Sequence, residues 1–122
     1  MRYYKLDGHK VVPCGDGMLA WMTWFGHVSL DARRVGYDDI AGNVVSTVFM
    51  GIDTNPGEAS LSPGVFETKV DLVTGHNAVV AKYSTWDQAK NGHARLVDAV
   101  RMALGSKVQA DALLDRLRQA RE

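Results

Sequence analysis

Residues 46–93 read STVFMGIDTNPGEASLSPGVFETKVDLVTGHNAVVAKYSTWDQAKNGH, and this stretch decides the fold class. Residues 46–52 are a β-prone run. Residues 53–63 are rich in Asp, Asn, Pro, Gly and Ser, which is loop chemistry. An eleven-residue connection is long for a hairpin, and long ordered loops on a rigid sheet often carry function. Residues 64–73 then alternate. Phe66, Thr68, Val70 and Leu72 make one nearly apolar set, which predicts a core-facing side; Glu67 falls on the other. Thr74-Gly75-His76-Asn77 turns the chain into a strand over 78–83. A helix opens at Ser84 or Thr85. Asp87 lies three residues after Ser84 and Gln88 three after Thr85, and either spacing makes a capping box. Ala89, His93, Leu96, Val97, Val100 and Leu104 trace its inward stripe, with Gly105 as a fitting stop.

Upstream, Asp7-Gly8 between two short β-prone runs (3–6 and 9–12) predicts a type I′ hairpin, which Pro13 ends. Asp16 is a suitable N-cap for a helix over 17–26, with Met18, Trp21, Met22 and Phe25 on one apolar face and Leu19 and Trp24 widening it. A strand at 33–37 passes through a turn at 38–43 into the run 44–52. Both faces of that run hold apolar residues, as in a central strand. Downstream, Ser106 with Gln109 opens a last helix whose stripe is Ala110, Leu113, Leu114 and Leu117. The order predicts one α+β domain over 1–122: an antiparallel sheet of about four to six strands, helices on one face, and an accessory helix at 105–122.

Composition narrows the function classes. Fourteen basic residues balance fourteen acidic ones. A neutral chain is poorly suited to duplex nucleic acid or to a polybasic membrane contact, and it does little to oppose self-association. Cys14 is the one cysteine, so no disulfide forms within the chain and zinc sites built on several cysteines are excluded. No apolar run approaches the roughly 20 residues of a membrane span, and the first residues lack the apolar segment of a secretory signal; a cytoplasmic location is expected.

The candidate site residues carry different chemistries. His93 on the inward stripe suits a ligand contact, a proton shuttle or a core hydrogen bond. Asp53, Thr54 and Asn55 open the long loop, where Asp and Asn also serve as turn starters. Glu67 borders the same region. Asp53 or Glu67 with His93 would supply an acid and a base, the residues of a small hydrolase. Trp21, Trp24 and Trp86 offer faces for a planar ring. Arg33, Arg34 and the helix N-terminus at Thr85 suit phosphate. No phosphate-loop glycine pattern, no metal-ligand spacing and no cofactor motif occurs, and no catalytic residue is assigned.

Three segments carry a resemblance. Residues 45–53 (VSTVFMGID), 65–70 (VFETKV) and 83–89 (YSTWDQA) with Gly92-His93, together with Arg2-Tyr3-Tyr4 and the Trp-rich early helix, resemble a group of small phage and prophage proteins without assigned chemistry. The resemblance covers roughly residues 1–100. In that group a histidine often follows the aspartate where this chain has Thr54. The resemblance implies a small accessory protein of phage or prophage origin, acting in the host bacterial cytoplasm. Such proteins are frequently inhibitors of host defence, and some are compact homo-oligomers that sequester nucleotide signals. The expected function is therefore non-enzymatic binding of a small nucleotide. The alternative is an oligomeric interaction protein that binds a host or phage protein.

Overall fold

Strand pairing follows the alternation described above, with one interruption that reorganises the chain. The computed structural model describes residues 2–15, 17–53 and 63–105. Asp16, Thr54, Asn55, the rest of the long loop through residue 62 and the helix expected after 105 lie outside the described residues. Among the described residues, strands β1 (Arg2–Asp7) and β2 (Lys10–Pro13) form a hairpin. Helices α1 (Met18–His27) and α2 (Leu30–Arg33) come next. Then follow β3 (Arg34–Ile40), β4 (Asn43–Phe49), β5 (Ile52–Asp53), β6 (Phe66–Asp71), β7 (Asn77–Tyr83) and α3 (Trp86–Gly105). The strands make two antiparallel sheets, ordered β2-β1-β5 and β3-β4-β6-β7. The fold is α+β.

The expected single strand over 44–52 is a correction. It breaks after Phe49, and the chain crosses from the four-stranded sheet to the three-stranded one at Gly51, whose φ is 77°. A Cβ at Gly51 would collide with the Tyr4 carbonyl oxygen and the Trp21 indole. Backbone groups at such a crossing lose their ladder partners and must find others. The Met50 and Gly51 N–H groups donate to the Val65 carbonyl at 2.8 and 3.2 Å, and the Gly51 carbonyl accepts from the Tyr4 N–H at 2.7 Å. The Met50 carbonyl accepts from Trp21 Nε1 at 3.2 Å, and the Phe49 carbonyl from Arg33 Nη1 at 3.0 Å.

The two hairpin turns also differ from the sequence reading. At the β1–β2 tip, Asp7 pairs with Lys10, so the turn residues are Gly8 and His9. Only Gly8 has positive φ (61°), which fits a type II′ turn rather than type I′. Strand β3 extends to Ile40, beyond the expected 37, and Ala41-Gly42 makes its turn with φ of 53° and 88°, a type I′ geometry. Buried Asn43 ties this turn to the next: its Nδ2 donates to the Ile40 carbonyl, and its Oδ1 accepts from the Val73 N–H, each at 3.0 Å.

The core lies between the four-stranded sheet and α3. Val45, Thr47 and Phe49 of β4, and Phe66, Thr68 and Val70 of β6, are fully buried, as the alternation predicts. A bulge lets both Val80 and Ala81 of β7 turn inward. Helix α3 covers them with Ala89, Leu96, Val97, Val100 and Ala103. Ala103, not Leu104, completes the stripe; Leu104 is exposed. Among the described residues, no helix covers the far face of the sheet, which carries the Lys69–Asp71 and Lys82–Glu67 pairs.

Helix α1 contradicts the face assigned to it. None of its residues is fully buried. Trp21, Trp24 and Phe25 turn inward, toward Tyr3, Phe49 and Arg33, because those partners offer rings and a guanidinium to stack on. Met18, Leu19 and Met22 are left 52%, 72% and 53% exposed. Its N-cap is Gly17, with no side-chain cap bond.

Candidate functional site

The start of α3 meets the tip of the β1–β2 hairpin, and a cavity of about 530 Å³ opens between them. Thr85 caps the helix: its Oγ1 accepts from the Gln88 N–H at 3.1 Å, while Gln88 Oε1 accepts from the Ser84 N–H at 3.2 Å. This reciprocal cap fixes the first turn and aims Trp86 at the hairpin. The Trp86 ring stands edge-on to buried Phe66, centroids 6.1 Å apart at 86°. Its outer face is covered by His9, stacked at 3.6 Å with the planes only 4° apart. Ser84, Thr85 and Trp86 form one wall of the cavity, His9, Lys10 and Val11 another, and Pro63 brings in the end of the long loop. Among the described residues, no carboxylate lines it.

A second polar cluster runs from half-exposed Asp38 into the core. His93 Nε2 is 2.6 Å from Asp38 Oδ2, and Nδ1 is 2.7 Å from Thr47 Oγ1. Thr47 Oγ1 is 2.5 Å from Thr68 Oγ1, which donates to the Tyr83 hydroxyl at 3.1 Å. Each threonine has a single hydroxyl proton. With Thr68 donating to Tyr83, Thr47 donates to Thr68, and both ring nitrogens of His93 donate, one of them to the carboxylate. A neutral ring runs the chain the other way, with Tyr83 donating to Thr68. An acid, an imidazole and a hydroxyl in this order match the parts of a nucleophilic triad. Thr47 and Thr68 are wholly buried, however, so neither hydroxyl can meet a substrate. The cluster is a satisfied polar core that joins α3 to β3, β4, β6 and β7.

Two glycines make room for it. A Cβ on Gly36 would come within 2.6 Å of the His93 ring, and one on Gly92 would overlap the Tyr83 ring. The imidazole therefore lies flat against the β3 backbone, and the helix approaches Tyr83 closely.

The structure scatters the sequence candidates over separate regions. Thr85 and Trp86 line the cavity, and His93 is in the core. Trp21 and Arg33 are engaged at the sheet crossing, where Arg33 also lies 4.1 Å over the Phe25 ring. Burial lowers the Arg33 pKa from its ordinary value. Trp24 packs edge-on to Phe49 at 5.6 Å, and Arg34 lies 4.9 Å over the exposed Tyr37 ring. Neither arginine lines the cavity at Thr85. Asp53 is buried in β5, opposite Arg2. Glu67 lies on the open face of the sheet beside Lys82. The carboxylate that meets His93 is Asp38, neither Asp53 nor Glu67. Sequence reading missed His9, whose only signal was its place after Asp7-Gly8, and Asp38, which looked like a turn residue. Burial pushes the Cys14 thiol up, with Lys5 pulling the other way, so the thiol stays protonated and inert at neutral pH.

Among the described residues, no three His, Cys, Asp or Glu side chains cluster to hold a metal ion, and no helix is long and apolar enough to cross a membrane. No protein-family model, no curated protein and no solved structure matches the chain.

Proposed function

We propose that the protein binds a small nucleotide, without cleaving it, in the cavity between the β1–β2 hairpin and the start of α3. The observation that carries this reading is the cavity itself. At about 530 Å³ it falls within the range of small-molecule sites, and an indole face, Lys10 and the first turn of a twenty-residue helix converge on it. Trp86 provides a surface for a base, and the lysine and helix N–H groups favour phosphate. Among the described residues, the lining has no acidic side chain to repel an anion or to act as a general base. In a phage or prophage setting, such a protein would blunt host defence by holding a nucleotide signal.

The test is thermal unfolding against a panel of nucleoside mono-, di- and cyclic phosphates. A ligand at 100 times its Kd adds about 2.7 kcal/mol to stability. An unchanged midpoint with every member of the panel refutes the reading.

A second reading rests on α1. Its exposed Met18, Leu19 and Met22 form an apolar surface of the kind that marks contact with a second copy or with a host or phage protein.

A further inference from the structure

The His9–Trp86 stack bears directly on how the cavity is filled. We infer that His9 is a built-in competitor for the Trp86 face, and that a ligand's planar heteroaromatic ring replaces it there. This rests on the nucleotide-binding reading and adds its mode of entry. The geometry is that of a bound ring: the imidazole lies 3.6 Å from the indole and parallel to within 4°. A purine or pyrimidine base on an aromatic side chain adopts the same arrangement.

Among the described residues the imidazole's ring nitrogens make no hydrogen bond, so the stack is its one contact of this kind. The residue is exposed, at the second position of a two-residue turn. Rotating the side chain to solvent forfeits one stacking contact, which the incoming base restores. Trp86 does not have to move, since Phe66 and the helix cap hold it from behind. Lys10 is the next residue along and already lines the cavity, so a phosphate attached to the displacing base meets a cation without rearrangement of the strand.

The experiment is calorimetric titration of AMP, GMP, CMP and UMP, and of ribose 5-phosphate, into the full chain and its His9→Ala and His9→Phe variants. Removing the competitor should tighten binding of the nucleotides roughly twofold to tenfold, the equivalent of one ring pair. Ribose 5-phosphate has no base, and its affinity should not change. His9→Phe retains a stacking ring and should bind no more tightly than the original chain. Proton NMR gives an independent readout. The His9 imidazole protons, shifted upfield by the indole, should return to their ordinary positions as nucleotide saturates.

Equal or weaker nucleotide binding by His9→Ala overturns the inference while leaving the nucleotide reading intact. So do imidazole protons that stay upfield at saturation, since the ligand would then sit elsewhere or slide between the rings. If none of the four nucleotides, and no other member of the panel of mono-, di- and cyclic phosphates, binds any of the three proteins, the reading and the inference fall together.

Discussion

Gly36 and Gly92 set the distance between α3 and the sheet, and each gives a prediction whose sign depends on which of two effects is larger. In a helix interior, Gly92→Ala by itself gains about 1 kcal/mol of helix propensity. The new Cβ would overlap the Tyr83 ring, and overpacking a tight core costs about 1–3 kcal/mol. The collision should win. Gly36→Ala drives a Cβ against the His93 ring and disturbs its bonds to Asp38 and Thr47, with a cost toward the upper end of that range. Urea unfolding of both variants checks this; a Gly92→Ala chain more stable than the parent would show that Tyr83 moves aside freely. The inward position of His93 was legible from the 3.6-residue period of its helix. Its partner was not. Asp38-Asp39 has turn composition, and the bulge between Arg34 and Gly36 resets which β3 residues face the helix, something no local pattern announces.

At the scale of elements, the helix start at Thr85 was readable because a cap is local chemistry, complete within the five residues from Ser84 to Gln88. The orientation of α1 was not. Two apolar faces compete in residues 17–28, and the choice between them belongs to Tyr3, Phe49 and Arg33, which are distant in sequence or on other elements. The aromatic face won, and the methionines were left outside. Residues 17–30 contain no Asp, Glu, Lys or Arg, so the helix itself adds none of these charges to the surface, which Lys5 borders beside Leu19. If α1 is a contact between copies, the parent chain has the mass of an oligomer in solution, and Leu19→Glu with Met22→Glu reduces it to that of a monomer. A parent chain that is monomeric at high concentration removes the self-association form of the second reading. Both substituted side chains already face water, so the fold should tolerate the change.

At the scale of the whole molecule, a ladder of rings runs from α1 to the hairpin tip: Trp24, Phe49, Phe66, Trp86 and His9, with successive centroids 3.6–6.1 Å apart. It joins the apolar helix, the core and the cavity wall in one packed series. The four-stranded sheet was largely legible, because its register follows from alternation in β4, β6 and β7. The three-stranded sheet was legible only as its β1–β2 hairpin, because β5 pairs with a strand about fifty positions earlier and is only two residues long. The cavity shares that origin. It forms where the first hairpin reaches the last helix, a contact between opposite ends of the described chain.

The crossing at Gly51 also bears on how the protein comes apart. Its carbonyl holds the Tyr4 amide, and the preceding carbonyl holds the Trp21 indole, so the first sheet and α1 hang on the continuation of β4. Unfolding should therefore be one cooperative event that includes the N-terminal hairpin. Native-state hydrogen exchange measures this: the Tyr4 amide should exchange with the same opening free energy and denaturant dependence as the amides of β6. A Tyr4 amide that exchanges by a cheaper, local opening would mean that the hairpin is a separate foldon.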